Sequence, residues 1–265
     1  MSIMPYTILP ERLANRLRTS PLLYHLGLRG SRRMSVGVGS GLRFEPGPSN
    51  RHYAFGDNEL PVQQALASCL ARDAVFYDVG ANVGFFTVIA ARLVGPHGSV
   101  YAFEPVPENA AYVQLNVGLN RFHNVTVVCK AVAASPGQGH LWLAEYAGGG
   151  ALTTAAVPPD ATKLIDVDLV SIDDLVFQHK WRPPDVVKID VEGAEIDVLQ
   201  GMLRTLREVR PVVLYEIDDA ELAGFQRKYQ ACESLLTELG YRVTRLVDSY
   251  PEIQWIVGHA MASPR

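Results

Sequence analysis

The sequence predicts an α/β fold built on a mostly parallel sheet with crossover helices, and three observations predict it. From residue 75 onward, short β-rich runs alternate with helical patterns, the signature of successive β-α steps. A glycine-bearing turn, Gly80 to Gly84, joins the first run to the first helical pattern. Acidic residues, Asp78, Glu104, Asp190 and Glu216, stand at or beside the ends of four separate runs, the rim on which open parallel sheets bind ligands.

Each element has its own warrant. Residues 75–78 read as a buried strand, and 85–93 as a helix of small and apolar residues. Residues 99–103 form a second strand ending at Glu104-Pro105, and 107–119 a helix with Pro107 suited to its first turn. Residues 125–132 read as one third strand. Residues 140–145 and 166–172 read as strands around a loop, 146–164, that contains Gly148-Gly149-Gly150 and Pro158-Pro159. A loop of that length in a compact domain marks a lid, a binding loop or a disordered segment. The alternation then resumes with strand 186–189, helix 195–206, strand 212–216, helix 225–239 and strands 241–246 and 253–257. With no helix between them, the last two strands predict an antiparallel edge pair. Residues 1–60 fit no such scheme; a helix near 10–18 and a short strand at Leu42-Arg43-Phe44 predict a cap over the sheet. The chain therefore divides into a cap, 1–60, and a domain, 61–265, with a lid-like insertion at 146–165.

Composition limits the function classes. With 48% hydrophobic and 20% charged residues in 265, the chain is neither disordered nor fibrous. Cys69, Cys129 and Cys232 are far apart and show no C-x-x-C spacing, so neither a disulfide framework nor a zinc cluster is indicated, and a reducing, cytoplasmic setting is expected. Pro5, Pro10, Glu11 and scattered arginines interrupt any secretory signal, and the longest apolar stretch, 83–91, is too short to span a bilayer. The first 50 residues hold seven arginines against two glutamates, within a chain of net charge −4. Such a segment attracts nucleic acid, anionic lipid or a phosphorylated ligand, or is a solvated helix face; a peripheral membrane contact stays open.

The run Asp78-Val79-Gly80-Ala81-Asn82-Val83-Gly84 carries most chemistry. Glycines at a strand-to-helix turn let backbone approach a ligand, and the helix start offers free N–H groups. The spacing is G-x-x-x-G, not the G-x-G-x-x-G that seats a pyrophosphate, and Asp78 suits an amine better than a diphosphate. A cationic ligand with an amino-acid end is favoured. Glu104 occupies the position of an acid that accepts ribose hydroxyls. Lys188 and Asp190 point to one side of their strand by period two, and Glu216 closes the next strand. Glu195 reads as a charge at the following helix N-terminus.

Together, Tyr77 to Thr87, Val100 to Pro105, Ser171-Ile172-Asp173-Asp174-Leu175 and Val187 to Glu195 resemble the FkbM family of S-adenosylmethionine-dependent methyltransferases. The resemblance runs from about residue 56 to 217. It implies a Rossmann-like class I methyltransferase fold, with a seven-stranded sheet ordered 3-2-1-4-5-7-6. It also implies O-methylation of a sugar, polyketide or other small hydroxylated metabolite. By the same resemblance Asp78, Gly80, Ala81, Asn82 and Gly84 hold the methionine part of S-adenosylmethionine, Glu104 and Pro105 the ribose, and Lys130 and Ala131 the adenine. Asp190, with Lys188 and Glu216, stands at the reacting centre; Mg²⁺ held by Asp190, Glu192 and Glu216 is an alternative that no histidine joins. Glu59 resembles a family position before the first helix. Where relatives carry a serine-rich stretch, this chain has Gly148-Gly149-Gly150-Ala151-Leu152-Thr153-Thr154, so substrate contacts do not carry over.

Rival readings have weaker support. A nucleic-acid methyltransferase lacks its [DN]-P-P-[YFW] signature, since Arg182-Pro183-Pro184-Asp185 is a turn before a strand. A nicotinamide dehydrogenase lacks its glycine spacing. A non-catalytic module on the same fold is opposed by the intact acids. The seven histidines, His25, His52, His97, His123, His140, His179 and His259, show no ligand spacing and read as surface or core residues. Tyr53, Phe55 and Tyr146 are placed to wall an acceptor pocket; oligomeric state is left open.

Overall fold

The computed structural model describes residues 31–47, 49, 51–144, 150–152, 161–249 and 256–265. The helix expected near 10–18, and Tyr146 with most of the 146–165 loop, lie outside them. The chain opens with a two-stranded ribbon, β1 (Arg32–Arg33) and β2 (Arg43–Phe44), a 3-10 turn (Arg51–Ala54) and α1 (Leu60–Cys69), whose first turn carries Pro61. Helix α1 was not anticipated because it straddles the boundary drawn between cap and domain.

Five parallel strands follow the predicted alternation: β3 (Val75–Val79), β4 (Ser99–Phe103), β5 (Val125–Val128), β10 (Val186–Ile189) and β11 (Val212–Asp219). Two further strands, β12 (Tyr241–Arg245) and β13 (Ile256–Pro264), complete a seven-stranded sheet ordered β12-β13-β11-β10-β3-β4-β5. Numbered along the sheet's own strands, this is the expected 3-2-1-4-5-7-6. Strand β13 is antiparallel to both neighbours, so only β12 of the last pair lies at the edge. It also runs past the predicted end at 257 to Pro264; residues 251–255 lie outside the described set.

Two other boundaries differ from the sequence reading. The strand expected over 125–132 stops at Val128, where the Lys130 amide donates to Val128 O, and the chain enters a second sheet as β6 (Ala131–Val132). That sheet, ordered β6-β9-β7-β8, contains β7 (Gly137–Ala144), β8 (Gly150–Leu152) and β9 (Ala161–Val170). Residues 150–152 and 161–164, read as loop, are thus strand, because β8 pairs with Leu141 to Leu143 of β7 and the β7–β9 ladder extends pairing from Gly137 to Ala144. The helix expected over 195–206 is two, α4 (Glu195–Gln200) and α5 (Leu203–Glu208). They break at Gly201, where a Cβ would lie 2.1 Å from Ala133 O. Asp173 then serves as a remote cap for α5: its carboxylate accepts from the Arg204 amide (2.8 Å) and the Thr205 amide (2.7 Å).

Period-two alternation sorts the central strands into two cores. Val75, Tyr77 and Val79, with Val187, Ile189 and Tyr215, face one cluster together with residues of α6 (Leu222–Glu238). Phe76, Val186 and Leu214 face the other, against α1 and α2 (Phe85–Val94). Asp78 and Lys188 sit at paired register on that second face. Helix α3 (Pro107–Leu119) packs on α2, and Asn116 Nδ2 ties it to the segment after β2 through Glu45 O and to the glycine turn through Val83 O. Among the described residues no helix is long and apolar enough to cross a membrane.

Candidate active site

The carboxyl ends of β3, β4, β10 and β11 open onto one cleft, with about 860 Å³ of empty space that includes open solvent. Its floor is the glycine turn. Gly80 adopts a φ of 82°, and a Cβ there would lie 1.7 Å from Asp190 O, so the turn can press against β10 only as glycine. The Gly80 and Ala81 amides both donate to Phe103 O, which anchors the turn across β4. Gly84, at φ 88°, lets α2 start beside Val113 of α3.

Glu104 faces this turn. Its Oε2 accepts from the Asn82 amide at 2.8 Å, and its Oε1 from the Val106 amide at 3.0 Å and Asn109 Nδ2 at 3.4 Å. Burial outweighs these donors and pushes the carboxyl up to about 7. Pro105, Lys130 and Ala131 continue the same wall, and Lys130 pairs with Asp168 at 3.5 Å. The opposite wall is acidic. Lys188, 3% exposed, lies under the Phe86 ring and donates to Asp190 Oδ2 at 2.7 Å. Burial opposes its charge, yet Asp190, Glu59, Asp78 and Glu216 together hold the ammonium above its ordinary range. Glu192 takes a left-handed φ of 50°, a conformation that costs ~1–3 kcal/mol for a residue with a side chain. Its carboxyl is lifted to about 8 by burial and then by Asp190 and Asp218.

At the far end, Glu216 and His259 are direct cross-strand partners on β11 and β13, with Glu216 Oε2 2.6 Å from His259 Nε2. Glu59, left-handed at φ 48° just before α1, brings Oε2 to 3.5 Å from the same nitrogen. Burial disfavours the imidazolium, but hydrogen bonds to both carboxylates overcome it and raise His259 to about 10. Burial and then Asp190 raise Glu216. Tyr53 stacks on Phe85 at 4.9 Å, an aromatic contact worth ~0.5–1.5 kcal/mol, and lines the cleft beside these acids.

Of the residues singled out in the sequence, Gly80, Asn82, Glu104, Pro105, Lys130, Ala131, Asp190, Glu192 and Glu216 line this cleft. Asp78, Ala81, Gly84 and Lys188 are not on its wall. Asp78 lies behind the turn, where its Oδ2 accepts from Thr87 Oγ1 at 2.5 Å, tying β3 to α2, while burial raises its carboxyl. Phe55 is 45% exposed and lies off the cleft. Glu195 accepts from the Gly193 amide at the start of α4, as its charge at a helix start predicts. The metal set expected, Asp190, Glu192 and Glu216, is corrected: among the described residues the group close enough to share an ion is Glu59, Glu216 and His259. A histidine does join the acids, and sequence spacing could not reveal it because only the β11–β13 register brings it there.

A glycine turn at one strand end, a buried acid at the next, and carboxylates across from them thus face one cleft. A family model described as the methyltransferase FkbM domain matches residues 78–243. The hexuronic acid methyltransferase AglP of Haloferax volcanii is 30% identical over 157 residues, covering 59% of this chain and 61% of that protein. The chain thus spans about three fifths of that relative's length. Methyltransferase sdnD of Sordaria araneosa is 27% identical over 201 residues, 63% of this chain and 73% of the relative. Among solved structures, a methyltransferase FkbM from Methylobacillus flagellatus KT is 17% identical with a TM-score of 0.47, covering 72% of this chain and 44% of that one. With the family model spanning more than half of its length, this chain belongs to the FkbM family of methyltransferases.

Proposed function

We propose that the protein transfers the methyl group of S-adenosylmethionine to a hydroxyl oxygen of a sugar, polyketide or similar small metabolite. The observation that carries this reading is the convergence of Glu104, the glycine turn, Asp190 and Glu216 on one cleft. When bound, S-adenosylmethionine supplies an electrophilic methyl carbon whose bond to sulfur breaks as the new bond to oxygen forms. The rest falls to the chain. Glu104 accepts the ribose hydroxyls, Pro105, Lys130 and Ala131 border the adenine, and the Gly80 to Gly84 turn, backed by Asp78, receives the amino-acid end. Asp190 takes the acceptor's proton as the oxygen attacks, which typically contributes ~10²–10⁴-fold. Lys188 is a positioning residue: its bond to Oδ2 leaves the other oxygen of Asp190 to meet the hydroxyl. Glu216 flanks the acceptor across the crevice. Tyr53 and Glu59 bring the segment before α1 to the cleft, which supports a substrate-covering role for residues 1–60; the same role is proposed for the insertion at 146–165. The hexuronic acid named for AglP supports a sugar as the first acceptor class to try.

Calorimetric titration with S-adenosylmethionine, S-adenosylhomocysteine and NAD⁺, followed by a panel of hydroxylated sugars and polyketides, tests the reading. Micromolar binding of the adenosyl ligands alone, with transfer to a hydroxyl, is expected. No adenosyl binding overturns it; binding with no transfer across the panel favours a non-catalytic module.

A further inference from the structure

Glu59 and His259 have no part in the methyl transfer proposed above, yet both are buried, Glu59 on the cleft wall and His259 beside it, with Glu59 Oε2 and Glu216 Oε2 both meeting His259 Nε2. We propose that Glu59, Glu216 and His259 bind one divalent ion of the Mn²⁺ or Zn²⁺ class.

The geometry is that of a site held by three separate elements. Glu216 and His259 are fixed opposite one another by the β11–β13 ladder, and Glu59 reaches them from the start of α1. One donor atom from each lies within 4.8 Å of the others. Bonds of about 2.0–2.2 Å from an ion to nitrogen and oxygen place neighbouring donors roughly 3–3.5 Å apart. The observed 2.6 Å and 3.5 Å bracket that spacing, so a small outward turn of Glu216 seats the ion. The supporting shell is built as well. Asn58 Nδ2 donates to Glu59 Oε1 at 2.7 Å, directing Oε2 to the cluster, and Gln63 Nε2 fixes that turn through Asn58 O and Gly56 O. Ligating carboxylates are commonly oriented in this way by outer hydrogen bonds.

Donor chemistry selects the ion. One imidazole with two carboxylates suits Mn²⁺ or Zn²⁺, whereas Mg²⁺ and Ca²⁺ prefer all-oxygen shells. Two carboxylates balance a divalent charge. Glu216, the most exposed of the three at 17%, leaves the ion's open side toward the cleft, where a water or an acceptor oxygen completes its shell.

Chelator-treated full-length protein is titrated with MnCl₂, following the signal of free Mn²⁺ by electron paramagnetic resonance, and with ZnCl₂ by calorimetry. One ion per chain is expected, with Glu59→Gln and His259→Gln each weakening it ~10–100-fold. Circular dichroism confirms that each variant unfolds cooperatively; Glu216→Gln replaces either one that does not fold. The absence of saturable binding of either ion overturns the proposal, as does undiminished affinity in the variants, or Mg²⁺ binding more tightly than Mn²⁺. S-adenosylhomocysteine titrated into the same wild-type sample reports the methyl-donor site separately, so loss of one reading is distinguished from loss of the other.

Discussion

Burial lifts the Glu104 carboxyl to about 7, so its charge changes within the range of an ordinary assay. Ribose hydroxyls donate, and the ionised carboxylate accepts better than the protonated acid. Affinity for S-adenosylhomocysteine is therefore expected to fall about tenfold from pH 8 to pH 6, and Glu104→Gln to flatten that profile while weakening binding; calorimetry at the two pH values checks both. Asp190→Asn separates binding from chemistry. Turnover is expected to drop ~10²–10⁴-fold in single-turnover methyl transfer to an acceptor from the panel, with S-adenosylhomocysteine binding kept; loss of both together would remove Asp190 from the base role. Both residues were legible in the sequence because each stands where a strand ends, a position set by local pattern. Glu59 was marked only as a position before the first helix and His259 only as a surface or core residue, since their meeting with Glu216 depends on strand register and on where α1 begins, which no short run encodes.

Elements were legible where a periodic run and its punctuation agreed, and misread where tertiary pairing cut a run. The stretch from Val125 to Val132 is uniformly β-rich, and only the turn at Val128 to Lys130 sends its end to a second sheet. Likewise the helical pattern from Glu195 passes through Gly201 without a periodicity break, while the close approach of Ala133 O and the Asp173 carboxylate divide it. That carboxylate belongs to the Ser171 to Leu175 run that helped mark the family, and its visible work is capping α5. Asp173→Ala is expected to cost about 1 kcal/mol, within the ~0.5–2 kcal/mol range of lost caps, measured by urea denaturation. It leaves the cleft lining intact, so affinity for S-adenosylhomocysteine should not change.

The molecule as a whole concentrates acids on one rim; the mostly parallel sheet and its antiparallel last strands were legible in the order of strands and helices, while the full seven-strand order came from the family resemblance. The concentration sets a pH dependence of stability. Glu104, Glu192 and Glu195 have folded values of about 7, 8 and 7, above an unfolded value near 4.5. Between those limits the folded state binds more protons than the unfolded one, so stability falls as pH rises. The loss begins above about pH 4.5 and is complete for these groups above about pH 8. The midpoint of thermal unfolding is accordingly expected to be lower at pH 8.5 than at pH 6, by differential scanning calorimetry without ligand; a higher value at pH 8.5 would show that these acids do not govern the trend.

Strand β13 supplies His259 and lies between β11 and β12, although it is the last of the described strands in sequence. During synthesis the preceding strands leave the ribosome first. Until β13 arrives, β11 presents an open hydrogen-bonding edge and Glu216 has no histidine beside it. Maturation of the cleft is thereby tied to the emergence of residues 256–264, and a ribosome stalled before residue 256 would hold a nascent chain with an adhesive sheet edge and an unfinished rim.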